Sequence, residues 1–200
     1  MSSSIAIITA RGGSKRIPRK NVKLFCGKPI ITYSIEAALQ SGQFEEVMVS
    51  TEDEEIAQIA RQAGASVPFM RSQESAGDYA STDDVLLEVL KAYEEQGRTF
   101  DTFCCLYPTA PFVTAQKLQK AMKLLEQADS VMPVVPFSFP PQRCMVLNEA
   151  GELHMKWPEY AQTRSQDLEP YYHDCGQFYC CKTDLFLQYK TTDLPHMMPM

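Results

Sequence analysis

The residues best suited to chemistry lie together near the start of the chain, in Ala10–Ile30, ARGGSKRIPRKNVKLFCGKPI. Arg11, Lys15, Arg16, Arg19, Lys20, Lys23 and Lys28 supply seven cations there, and no acid occurs before Glu36. The whole chain carries 19 basic and 25 acidic side chains, a formal net charge of −6, so this is a local concentration of positive charge. Cations gathered without acids repel one another, and an anionic ligand relieves that repulsion. Gly12 and Gly13 let the backbone turn tightly and present bare N–H groups, as anion-binding nests do, and Ser14 adds a hydroxyl. Arg11 and Lys15 are suited to clamp phosphates. The chemistry this combination fits is the holding of a polyphosphate. The spacing matches neither G-x-x-x-x-G-K-S/T nor G-x-G-x-x-G, so the P-loop and dinucleotide fingerprints are excluded.

Such a loop needs strands and helices to aim it, and their signals alternate through the first two-thirds of the chain. Ile5–Thr9 reads as a buried strand, and Ile31, Ile35, Ala38 and Leu39 form a helical stripe stopped by Gly42. Val47–Ser50 is a second strand, followed by a Thr51–Glu54 capping pattern and the stripe Ile56, Ile59, Ala60 and Ala63. Val67–Met70 reads as a short strand, and Ser81 or Thr82 caps a helix carrying Val85, Leu86, Val89, Leu90 and Tyr93. Thr102–Tyr107 is a third main strand; a helix on Leu118, Ala121, Met122 and Leu125 follows, then a strand over Ser130–Val135. This order predicts an α/β fold with a mainly parallel sheet. Ligands in such folds sit beyond the carboxyl ends of the strands, so the basic loop, Thr51–Asp53 and Pro108–Phe112 are expected to converge.

After Pro136 the character changes. FSFPPQR is rich in proline and aromatics, and Arg143–Leu147 with Glu152–Met155 reads as a hairpin around Asn148–Gly151. One domain over 1–200 is expected, with an arm at about 137–170 suited to subunit contact. Tyr171–Cys181 reads as one strand segment and Asp184–Tyr189 as a short helix. The tail, about 191–200, lacks periodicity and is expected to be disordered.

Other features bound the function. The acidic balance argues against nucleic acid as partner. MSSSIAIIT lacks a signal-peptide pattern and no apolar run nears the roughly 20 residues of a membrane span, so a soluble cytoplasmic chain without membrane contact is expected. Of the seven cysteines, Cys104–Cys105 and Cys180–Cys181 are adjacent pairs in apolar runs and none forms C-x-x-C, so the thiols read as core residues. From the residues alone Arg71 reads as a surface arginine, at the head of a polar loop ending at Asp78–Thr82. Arg164, Gln166 and Asp167, with Arg143, suit either a carboxylate ligand or a salt-bridged loop. His173 suits a structural histidine better than a general base, and Asp174 beside it a cap or turn.

Taken together, ARGGSKRIPRKN with GKPII, then VSTEDEEIA, VPFMRS, YPTAPF and RSQDLEP, resemble in order and spacing the CMP-sugar synthetases. These are cytidylyltransferases acting on acidic nine-carbon and eight-carbon sugars. The resemblance runs from about Ile5 to Tyr179. KLFCGKPII, CCLYPTAPF, VVPFSFPPQR and YHDCGQFY are similar to the pseudaminate branch; sialate members usually have Gln where Tyr107 stands and N-G at Cys175–Gly176.

The resemblance implies a three-layer Rossmann-like nucleotidyltransferase fold with a small hairpin arm that pairs two subunits. It implies CTP and an acidic nine-carbon sugar as ligands, joined with release of pyrophosphate. Arg11, Ser14 and Lys15 would hold the triphosphate, with N–H groups of Gly12 and Gly13, and Arg11 and Lys15 would neutralise charge developing in the reaction. Asn21 would meet the ribose or phosphates, Arg71 the cytosine with Thr82 nearby, Tyr107 the sugar pocket, and Arg164 with Gln166 the sugar carboxylate. It also implies Mg²⁺. The family's D-x-D-type motif does not occur in Thr191–Met200, where Asp193 is the one acid, so no residue is assigned as a metal ligand. Two alternatives stand beside this: the same reaction on a sialic or legionaminic acid, and a truncated chain that binds nucleotide without turnover.

Overall fold

The computed structural model describes residues 3–77 and 80–200; Asp78, in the polar loop ahead of Thr82, lies outside them, as do Met1, Ser2 and Tyr79. The chain runs β1 (Ser4–Thr9), β2 (Leu24–Phe25), β3 (Lys28–Pro29), α1 (Ile31–Ser41), β4 (Glu46–Ser50), α2 (Glu54–Gln62) and α3 (Thr82–Glu95). It continues with β5 (Thr102–Leu106), α4 (Ala115–Leu125), β6 (Ser130–Met132), β7 (Val134–Pro136), β8 (Met145–Leu147) and β9 (Leu153–Met155). The last elements are β10 (Tyr172–Asp174), β11 (Phe178–Lys182), α5 (Thr183–Tyr189) and β12 (Met197–Pro199). Two compact units result, one from the chain up to Pro133 with Gly176–Met200, the other Val134–Cys175.

The first unit is built on a six-stranded sheet in the order β12-β6-β11-β5-β1-β4. β4, β1 and β5 run parallel, β11 is antiparallel to β5 and β6, and β12 is parallel to β6. Alternation across the pleat sends Ala6, Ile8, Val47, Val49, Cys104, Leu106 and Cys180 to one face, under α1, α2 and α4. Ile5, Ile7, Met48, Phe103, Cys105 and Cys181 go to the other, under α3 and α5. Both faces are buried, which is why the strands read as unbroken apolar runs. Adjacent cysteines therefore point to opposite layers. Burial pushes the Cys104 and Cys181 thiols well up and that of Cys105 to about 12.

Local chemistry sets most element ends as read from the sequence. Gly42 closes α1 in the left-handed region at φ 64°. Ser81 caps α3 in a reciprocal box with Asp84. In α2 the cap is Asp53, whose Oδ1 accepts from Ile56 N–H at 3.0 Å, and Thr51 instead accepts from the Asp53 N–H. Leu39, placed on the α1 stripe, is exposed.

Four expectations are corrected. Val67–Met70 forms no strand; Ser66 makes a single bridge to Met48, and Pro68 has no N–H to extend a ladder. Ser130–Val135 divides at Pro133 into β6 and β7, which belong to different sheets. Tyr171–Cys181 divides into β10 and β11 around Gly176, at φ 62°. The tail is ordered by backbone pairing of β12 with β6, supported by Asp129 N–H to His196 O at 2.8 Å.

The second unit carries the antiparallel pairs β7–β10 and β8–β9, the latter closed by Asn148 and Glu152. Gln142, 3 % exposed, anchors it by donating to Glu169 O at 2.8 Å. No helix among the described residues is long and apolar enough to cross a membrane.

Phe103 sits at the middle of the α3/α5 layer, its ring edge-on to Phe186 at 4.9 Å. Phe103→Ala should cost about 3–5 kcal/mol in urea unfolding. A loss below about 1 kcal/mol would show that this layer is not a packed core.

Candidate active site

β1 leads through α1 to β4 on one side of itself, while β5, on its other side, leads through α4 towards β6. The loops leaving their carboxyl ends therefore diverge, which opens a crevice. A cleft of about 560 Å³ lies there. Its walls are the basic loop, Arg71, Ser75, Gly77, Ala80–Thr82 and Tyr107–Thr109. Arg11, Lys15, Arg16, Lys20 and Arg71 all line it, and no described lining residue is an acid, a histidine or a cysteine.

The end of β4 holds the loop in place. Ala10 N–H donates to Ser50 O at 3.0 Å, and Gly12 N–H to Glu52 Oε1 at 2.6 Å. Asp53 binds the Arg19 guanidinium, which also reaches Glu55. The Arg19 hydrogen bond lowers the Asp53 pKa despite partial burial. Lys28 pairs with Glu36. Distant acids thus draw Arg19 and Lys28 aside, and Arg11, Lys15, Arg16 and Lys20 are the loop cations that face the cleft. Burial first, and then Arg16 and Arg11, push the Lys20 ammonium below its usual value.

The glycines do something other than expected. Neither Gly12 nor Gly13 has a positive φ, and neither lines the cleft. Gly12 is needed because a Cβ there would lie 2.5 Å from Asp53 Oδ2, and its N–H is taken by Glu52 rather than offered to a phosphate. The carboxylate that holds that amide stands two residues past the end of β4. Gly13 faces open space.

The remaining walls are rigid. Asn21, 4 % exposed, donates from Nδ2 to Arg11 O at 2.8 Å, while its Oδ1 has no partner among the described residues. Arg71 is no surface residue. It is 6 % exposed, with Nε donating to Ser50 Oγ at 3.0 Å and Nη2 to Ser50 O at 2.6 Å. Burial lowers its pKa, opposed by the charges of Glu52 and Glu88. Thr82 opens α3, and its Oγ1 lies 3.4 Å from the Tyr107 hydroxyl. Tyr107 packs edge-on against Tyr179 at 5.5 Å and accepts from Ser34 Oγ at 2.8 Å. Such a wall offers charge neutralisation and positioning.

The structure thus brings Arg11, Ser14, Lys15, Asn21, Arg71, Thr82 and Tyr107 into one cleft. Thr51–Asp53 does not line it but braces the loop from behind. Arg164 and Gln166 belong to the second unit. There Arg164 pairs with Asp167, Nε to Oδ2 at 2.7 Å, and Gln166 is exposed. Arg143 donates to Thr163 O at 3.2 Å. His173 is exposed, its Nδ1 2.8 Å from Asp174 O and its ring against Phe137.

A family model described as cytidylyltransferase matches residues 5–166. The chain belongs to this cytidylyltransferase family. It is 41% identical over 195 residues to a pseudaminic acid cytidylyltransferase of Campylobacter jejuni, covering 96% of this chain and 84% of the relative. It is 39% identical over 168 residues to a CMP-N,N'-diacetyllegionaminic acid synthase of Legionella pneumophila, covering 84% and 70%. Among solved structures, a CMP:2-keto-3-deoxy-manno-octonic acid synthetase complexed with CTP superposes with a TM-score of 0.69 at 23% identity, over 94% of this chain and 77% of that one. That likeness extends to the fold, which is the α/β nucleotidyltransferase arrangement expected.

Within this cytidylyltransferase, sequence reasoning missed three positions. Arg16 and Lys20 were counted as loop charge and turn out to be lining residues. The acid-free run was the available signal, but which cations face inward depends on Asp53, Glu55 and Glu36. Glu52 was read only within a capping pattern, and its bond to Gly12 spans 40 residues of chain.

The two glycines separate the causes. Gly12→Ala should cost about 1–3 kcal/mol by overpacking against Asp53. Gly13→Ala should stay within about 0.5 kcal/mol of wild type. Equal urea midpoints for the two variants would remove the close-approach account of Gly12.

Proposed function

We propose that this cytidylyltransferase transfers CMP from CTP to the anomeric hydroxyl of pseudaminic acid, releasing pyrophosphate. The observation that carries the reading is the cationic cleft at the switch point, which no described acid lines. It stands in a chain 41% identical over 96% of its length to a pseudaminic acid cytidylyltransferase.

In this reading Arg11, Lys15 and Ser14 hold the triphosphate, with Arg16 and Lys20 adding charge. Arg71, held by Ser50, presents guanidinium donors to the acceptor edge of cytosine, with Thr82 beside it. Asn21 keeps its Oδ1 acceptor for a ribose hydroxyl. Tyr107 lines the sugar pocket; in the second unit Arg164, whose Nε and Nη2 donate to Asp167, and Gln166 are this reading's candidates for a carboxylate. The sugar oxygen attacks the α-phosphorus as the bond to the pyrophosphate oxygen breaks, and the hydroxyl proton leaves to solvent. Charge moves onto the departing pyrophosphate, where Arg11 and Lys15 stabilise it more in the transition state than before.

Mg²⁺ belongs to this reading as a partner of the nucleotide. Among the described residues no group of three or more His, Cys, Asp or Glu side chains could hold a metal ion. The described residues form no cage of their own for it. Mg²⁺ in such sites is commonly carried on substrate phosphates and water. The second unit exposes Val135, Phe137, Phe139, Met145, Leu147 and Leu153, which supports pairing of two subunits. Sedimentation at micromolar concentration should show a dimer, and a monomer there would remove that part. A cytoplasmic setting, where CTP is made, completes the reading.

A second sugar is favoured by one observation, the 39% identity to the legionaminic acid synthase. A panel of pseudaminic, legionaminic and sialic acids with CTP and Mg²⁺, read by pyrophosphate release, separates the possibilities. Turnover with pseudaminic acid should dominate. Turnover with another acid alone reassigns the substrate, and tight CTP binding without any turnover marks a binding protein. Lys15→Ala should weaken CTP by about tenfold or more, the worth of a charge-assisted phosphate contact. Unchanged affinity would take the basic loop out of the site.

A further inference from the structure

Glu52 forms no wall of the cleft, yet it grips the loop that forms one. Its Oε1 accepts the Gly12 N–H at 2.6 Å, while Oε2 is buried with no partner among the described residues. The sign of its charge is wrong for a polyanion site, because a carboxylate behind the loop lowers the potential in front of it. Its charge is offset in part by the buried Arg71 guanidinium, whose charged form Glu52 favours. The one hydrogen bond it accepts among the described residues, however, comes from the loop, and that contact sets a direction.

The Gly12 amide lies between Arg11 and Gly13. A planar peptide fixed at its N–H also fixes where the Arg11 carbonyl points. That carbonyl is the one Asn21 holds at 2.8 Å. The peptide on which Arg11 and the path to Ser14 and Lys15 depend is thus pinned at both ends, by Glu52 and by Asn21. Residues next to Glu52 hold Arg71 as well, through Ser50 and the Thr51 carbonyl. One strand end therefore sets the spacing between the phosphate-facing loop and the buried arginine.

We propose that Glu52 is a positioning residue that aims the basic loop at the triphosphate by accepting the Gly12 N–H. The inference rests on the CTP reading above and deepens it.

Two conservative variants oppose reach and charge. Glu52→Asp keeps the charge but is one methylene short of Gly12. Glu52→Gln loses the charge but keeps an oxygen that can accept the same N–H. Calorimetric titration with CTP and with CMP, after thermal melts confirm that both variants fold, reads the outcome. The Asp variant should lose about tenfold or more in CTP affinity, the worth of a hydrogen bond to a charged group, with CMP affected far less. The Gln variant should bind CTP as well as wild type or better. The reverse order, or two variants that both match wild type, overturns the assignment. An equal loss for CTP and CMP in the Asp variant also overturns it, since aim at the outer phosphates would not be the cause. A wild-type chain that binds no CTP overturns the parent reading, and this one with it.

Discussion

The structure turns on one electrostatic problem: several cations are kept close together in a cleft that no described acid lines. Arg11, Lys15, Arg16, Lys20 and Arg71 share one cleft, and burial first, then Arg16 and Arg11, lower the Lys20 pKa there. The loop is restrained from behind, where the described acids touch backbone or outlying cations and do not line the cleft. Glu52 takes the Gly12 amide, Asp53 and Glu55 take Arg19, and Asn21 takes the Arg11 carbonyl. Attractive contacts at the rear preserve repulsion at the front, and that repulsion is what a polyphosphate relieves.

The sheet makes this arrangement possible. β1 and β5 end side by side, and their continuations turn away from each other. Burial on both faces leaves the strand ends little freedom, so the loops start from fixed points. The end of β4 then reaches the basic loop through Ser50 and Glu52, and reaches Arg71 through Ser50 and Thr51. A site that must hold charges at set distances is better built on such rigid ends than within a long loop.

Much of this was legible before any coordinates. Apolar runs marked the strands because both sheet faces are covered, and Gly42 and Ser81 marked helix ends because their chemistry is local. The loop's run of cations without an acid is plain in the composition. What stayed hidden depends on partners distant in sequence. The choice of Asp53 over Thr51 as cap, the burial of Arg71 and the pairing of Glu52 with Gly12 are all settled across 20 residues or more, or by competition between neighbours. β12 escaped because a strand of three residues paired through its backbone has no side-chain period to read. The divisions at Pro133 and Gly176 escaped because alternation tells which face a residue takes, and not which sheet it joins.

The adjacent cysteines at the centre of the sheet carry a further consequence. Cys104, Cys105, Cys180 and Cys181 are wholly buried, and burial raises the Cys104, Cys105 and Cys181 thiols above their usual value. Burial closes all four to alkylating reagents and to peroxide while the sheet is intact. A chain with seven cysteines therefore behaves, when folded, as though it had few. The same thiols become a sensitive internal clock of opening, because each is released only when β5 or β11 leaves the sheet.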